Sequence, residues 1–177
     1  MTARAAAVLA PLFTAPQVRP QLAEQMSLFT PLIGSWDLKV TDHKPDGTRI
    51  ETEGEWHFSW ALAGRAVADV WICPRRSRLN VEENAVGNEW GTSVRFYDAR
   101  EGVWRSTWIG PGRGLVRCFV GRPTPDGLQL TGTFAPNVET RWTFSNLTSA
   151  GFDWRNETID AFGQASLHQT FAARRAD

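Results

Sequence analysis

A carboxylate set beside a tryptophan is the first chemistry this sequence offers. In the run 65–73 the odd positions hold Arg65, Val67, Asp69, Trp71 and Cys73, and the even ones Ala66, Ala68, Val70 and Ile72. Both faces are apolar enough to be covered. If the odd face points inward, Asp69 is a desolvated carboxyl that can act as a general acid or base, or pair with a buried arginine. The ion pair is the commoner fate of such a group. Arg95 and Tyr97 share another face, and an Arg-x-Tyr pair can hold a carboxylate through the guanidinium fork and one phenolic hydrogen bond. Trp90, Val94 and Phe96 claim the core face of that run, so parity sends Arg95 and Tyr97 to the surface. Glu157 adjoins Asn156 near the end of the chain. Asp69, Tyr97, Arg95 and Glu157 are therefore the candidate catalytic groups.

Other chemistries find little support. No Gly-x-Ser-x-Gly occurs, and neither Cys73 nor Cys118 sits in a nucleophile or zinc pattern. Gly110-Pro111-Gly112-Arg113-Gly114 lacks the Lys-Ser/Thr of a phosphate loop and reads as a hairpin. No spacing of two histidines and a carboxylate points to a metal. His43 precedes a turn and His57 lies on an acidic strand face, which places both in water. No cofactor is expected.

Strands must position these groups. After Gly34 the apolar period is two and stays two, broken every 8 to 12 residues by turn chemistry such as Pro45-Asp46-Gly47, Ala63-Gly64 and Pro136-Asn137. About ten strand-like runs result. Without helical patterns between them, the expected fold is all-β: an antiparallel meander closed into an eight- to ten-stranded barrel, since closure removes exposed edges. Residues 1–19 read as a flexible leader, followed by one short helix from about 20 to 31 with Leu22, Met26, Phe29 and Leu32 on its apolar side. Residues 20–177 then form a single domain.

Parity assigns an aromatic face to most strands. It groups Trp56, Phe58 and Trp60, then Phe96, then Trp104 and Trp108. Later strands contribute Phe134, then Trp142 and Phe144, then Trp154 with Asn156. Gln169 falls in register with Leu167 and Phe171, which leaves His168 on the other face. Together with Trp71, these rings and the two amides are the expected ligand-binding set. Nine Trp and ten Phe in 177 residues exceed what a closed core alone requires, so a pocket of roughly 300–1,000 Å³ is the expected outcome.

Nineteen Lys and Arg balance nineteen Asp and Glu. With no basic block, neither nucleic acid nor an anionic membrane surface is an expected partner. An N-terminal apolar run is cut by Pro11 and followed by no A-x-A site, and two unpatterned cysteines suit a reduced cytoplasmic setting. An outward Ala66, Ala68, Val70 and Ile72 row would need cover, which a homodimer could provide.

Gly34-Ser35-Trp36, after a short helix and at the head of the first strand, resembles the Gly-x-Trp opening of lipocalins and the calycin superfamily. The layout is similar to fatty-acid-binding-protein-like and nitrobindin-like barrels. Arg95-Phe96-Tyr97-Asp98, Trp104-Arg105-Ser106-Thr107-Trp108 and Phe152-Asp153-Trp154-Arg155 resemble bacterial lipocalin-like proteins. This resemblance over residues 34–175 implies a barrel with a small-molecule cavity. The leading expectation is binding of a small hydrophobic, aromatic or polycyclic molecule. The alternative is a lyase, isomerase or cyclase in the same cavity, and the third is heme binding through His168, as the nitrobindin likeness implies.

Overall fold

Alternating side chains joined by tight reversals make hairpins, and here ten strands in series close on themselves. The computed structural model describes residues 2–78 and 88–176. Its barrel strands are β1 (Gly34–His43), β2 (Arg49–Ala61), β3 (Ala66–Cys73), β4 (Glu89–Asp98) and β5 (Val103–Gly110), then β6 (Leu115–Thr124), β7 (Gly127–Ala135), β8 (Val138–Ser145), β9 (Gly151–Ile159) and β10 (Ala165–Arg175). Each pairs antiparallel with the next, and β10 returns to β1 with Phe171 opposite Val40. Among the described residues the meander is a closed ten-stranded barrel.

One end is plugged. Pro20 sets the first of three short helical pieces, Pro20–Leu22, Ala23–Met26 and Ser27–Leu32, which bury Met26, Phe29 and Leu32. Two barrel indoles tie down this plug: Trp36 donates to the Leu32 carbonyl at 2.7 Å and Trp104 to that of Gln25 at 3.1 Å. Above it lies a dry layer of Trp36, Phe58, Trp60, Phe144 and Phe152.

The segment expected to be a loose leader is attached to the barrel. A helix, α1 (Thr2–Phe13), leads into Thr14–Ala15, which pair with Ala61 and Trp60 at the end of β2. Arg19 N–H donates to the Gly64 carbonyl at 2.8 Å. Gly64 has φ +73°, and a Cβ there would run into the backbone of Gln17 and Arg19. Backbone pairing unavailable to a sequence reading thus ties Thr14, Ala15 and Arg19 to β2 and the turn after it.

Cross-strand partners share a face, so register decides what enters the barrel. Trp56 is opposite Trp71, Phe58 opposite Asp69 and Trp60 opposite Val67, which fixes the odd face of β3 as interior. In turn Val67 is opposite Arg95, Asp69 opposite Ser93 and Trp71 opposite Gly91. β4 therefore turns its polar face inward: Arg95 is 0% exposed, whereas Trp90 and Phe96 point outward at 52% and 45%. This corrects both the surface assignment of Arg95 and the interior assignment of Phe96.

Smaller consequences follow from the same logic. Cys118 is exposed because Phe119 takes the interior, and only Cys73 is a core thiol. Burial pushes the Cys73 thiol up to about 11, with the Asp42 charge adding to the rise and Arg113 opposing it. In the outward β3 row Ala66, Ala68 and Ile72 are already buried within the chain, and only Val70 remains accessible. That removes most of the surface the dimer argument used. No helix is long and apolar enough to cross a membrane among the described residues.

Candidate functional site

Opposite the plug, the barrel keeps a cavity of about 340 Å³. Its walls come from strands on all sides: Trp56 from β2, Trp71 from β3, Trp108 from β5, Trp142 from β8, Trp154 from β9 and Phe171 from β10. Five of the nine tryptophans line it, so the excess of indole is spent on a pocket as well as on the core.

The rings brace one another. Trp71 meets Trp108 edge-on at 6.1 Å, Trp108 meets Trp142 at 5.8 Å, and Trp142 meets Trp154 at 5.4 Å. Trp154 then stacks flat on Phe171 at 4.5 Å. Edge-to-face and offset contacts are the favoured aromatic geometries, each worth about 0.5–1.5 kcal/mol beyond area burial. The result is a continuous aromatic belt. Gly91 makes room for it, because a Cβ built there would overlap the Trp108 ring.

Polar groups are few and specific. Trp142 donates its indole N–H to Asn156 Oδ1 at 3.1 Å. Trp71 and Trp154 bury their indole nitrogens with no acceptor. Gln169 is held by Asp42 at 2.8 Å. Near the mouth Glu89 is 1% exposed; its Oε1 accepts the Gly112 N–H at 2.9 Å, and its Oε2 has no hydrogen bond. Arg113, on the β5–β6 turn, approaches that carboxylate at 3.8 Å. Leu115, Arg117, Thr140, Thr158 and His168 complete the lining.

His168 reaches the rim because of a bulge. Asn156 is opposite Gln169 but Glu157 is opposite Leu167, so His168 is an extra residue in β10. The bulge reverses parity on either side. Gln169 and Phe171 face inward while Leu167 faces out. His168 itself is exposed, and its Nε2 is engaged with Thr158 Oγ1 at 2.7 Å.

None of the four catalytic candidates lines the cavity. Asp69 lies sealed within the barrel, ion-paired with Arg95 and accepting the Trp56 indole N–H at 2.8 Å. Arg95 is further flanked by the Phe58 and Phe144 rings, each 5.8 Å from its Cζ. Tyr97 packs on Trp104 at the plugged end. Glu157 lies on the face of β9 opposite Asn156, paired with Arg155 at 2.9 Å.

The expected ligand-binding set divides as well. Trp56, Trp71, Trp108, Trp142, Trp154, Asn156 and Gln169 line the cavity. Phe58, Trp60, Trp104 and Phe144 are core packing beneath it. Phe134 sits at an irregularity between Thr133 and Ala135 and packs against Phe119 at 5.1 Å, outside the cavity wall. Glu89, Arg113 and Arg117 were missed by the sequence reading. A buried Asp69 that needs a cation would have exposed the true face of β4, and with it Glu89.

No protein-family model and no curated protein matches the sequence. Among solved structures the chain is similar to Rv2717c from M. tuberculosis, with a TM-score of 0.57 at 15% identity over 91% of this chain and 100% of that one. It is also similar to the S-type phycobiliprotein lyase CPES from Guillardia theta, with a TM-score of 0.56 at 12% identity over 86% and 93% of the two chains. At these identities the likeness is one of fold, and it fits a lipocalin-like barrel.

Proposed function

We propose that this barrel binds a small, flat, largely apolar molecule within its aromatic belt. The observation that carries the reading is a cavity walled by five indoles, two of which, Trp71 and Trp154, bury N–H groups that lack partners. Buried donors are rarely left unmade, and a ligand acceptor would satisfy them. The volume lies at the low end of the small-molecule range. That suits two or three fused rings better than a tetrapyrrole, and His168 spends its Nε2 on Thr158. The residues do not fit a seated heme.

Lyase, isomerase or cyclase chemistry in the same cavity is the second reading. Glu89 favours it, as a buried carboxylate on the wall with one oxygen unbonded. The fold shared with a lyase supports it at the level of architecture alone.

The test is titration with the neutral fluorophore 1-aminoanthracene, following its emission and energy transfer from tryptophan. Binding to the native protein is expected, and Gly91→Val should weaken it at least about tenfold by driving the Trp108 ring into the cavity, while far-UV circular dichroism stays that of a β-barrel. Unchanged emission with the native protein would remove the binding reading.

A further inference from the structure

The mouth of the cavity carries an unbalanced charge. Arg113 is matched by Glu89 at 3.8 Å. Arg117 is the register partner of Trp108 on the neighbouring strand and forms no ion pair among the described residues; its Cζ lies over the Phe134 ring, 4.8 Å from the centroid. Partial burial and the neighbouring Arg113 charge both lower its pKa. A guanidinium that is partly desolvated, repelled by a second cation and part of the lining of an open pocket is short of an anion. Trp71 and Trp154, which line the same cavity, bury indole N–H groups that are short of an acceptor.

We infer that the ligand is a fused-ring carboxylate carrying a carbonyl or ring acceptor at its far end, seated ring first with its carboxylate on Arg117. The inference rests on the binding reading above and adds polarity and direction to it. The belt sandwiches the rings, the buried indole donors meet the acceptor, and Arg117 meets the acid where it emerges. Glu89 opposes an anion at the mouth, but Arg113 already neutralises it, so one net positive charge faces the carboxylate. Orientation follows from this asymmetry: a carboxylate placed among the indoles would lose its hydration with no cation to replace it.

Three tricyclic probes separate the parts of the claim by isothermal titration calorimetry on the full chain: 9-oxofluorene-2-carboxylate, 9-fluorenone, which lacks the acid, and fluorene-2-carboxylate, which lacks the ketone. The keto acid is expected to bind about tenfold tighter than fluorenone at low salt, a preference that added salt reduces. Arg117→Gln should abolish that preference by weakening the keto acid far more than fluorenone, and Arg117→Lys should retain part of it. Trp154→Phe keeps a ring in place and should narrow the gap between the keto acid and fluorene-2-carboxylate. If none of the three binds, the binding reading falls and this inference with it. If fluorenone binds as tightly as its acid, or Arg117→Gln weakens both equally, the cavity still binds rings and the carboxylate assignment is overturned.

Discussion

Asp69 and Arg95 show how a side chain that looks catalytic can be structural. A carboxylate among tryptophans invites an acid–base role, yet this one is closed off from the cavity and already engaged by Arg95 and Trp56. Arg95 in return leaves Nε and one Nη without partners, so the pair is incompletely satisfied and its net worth depends on both members being present. Removing one partner strands a buried charge. Asp69→Ala is expected to cost about 3–5 kcal/mol in urea unfolding, and adding Arg95→Met to that variant should recover most of the loss. A single substitution costing under about 1 kcal/mol would mean that the pair does not hold the barrel together. Both residues are visible in the sequence, and a buried arginine is an expected partner for Asp69, but alternation sends Arg95 to the surface. Only the register, which sets Asp69 beside the Ser93 and Arg95 face, joins them.

Strands were legible where period two ran unbroken, and the reading failed where it slipped. β2, β8 and β9 show aromatic faces that the structure places inside. β4 offers a polar face and an apolar face of similar length, and hydrophobicity alone selects the wrong one. In β10 a single bulge at His168 reverses the faces on either side of it, which no count of alternation detects. Polar latches between elements were equally silent. Glu55, on the outer face of β2, accepts the backbone N–H of Arg76 at 2.7 Å and its guanidinium at 2.9 Å, tying down the turn that follows β3. Burial alone would raise the Glu55 pKa, but the Arg76 hydrogen bonds, together with His57, outweigh it and hold the pKa below its ordinary value. A carboxylate depressed in the folded state adds stability that is complete above its unfolded pKa, about 4.5, and is lost as pH falls through the lower folded value. Glu55→Gln should therefore destabilise the protein at pH 7 and bring the two stability curves together on acidification. Parallel curves from pH 7 to pH 3 would show that Glu55 is not a latch.

Across the whole molecule, one closed sheet serves two ends: a plugged, dry end where Trp36 and Trp104 bond to the helical pieces, and an open end where Trp71 and Trp154 keep donors in reserve. That division explains why a chain with so many rings fills only part of its interior. It also fixes a temporal order. Nine of the ten barrel pairings join successive strands, whereas the β1–β10 seam joins residues far apart in the chain, of which the nearest pair, Asp42 and Gln169, is separated by 127 positions. Bringing such distant segments together costs more chain entropy than any hairpin does, so the seam should close last, after the rate-limiting barrier has been crossed. Phe171, opposite Val40 in that seam, then reports on events beyond the barrier. Phe171→Ala should speed unfolding and leave the refolding rate nearly unchanged in stopped-flow measurements. Refolding slowed in proportion to the lost stability would instead place the closed seam within the transition state. On the expected course, the cavity exists only after the last seam closes, so a bound ligand should prolong the life of the folded barrel without hastening its formation.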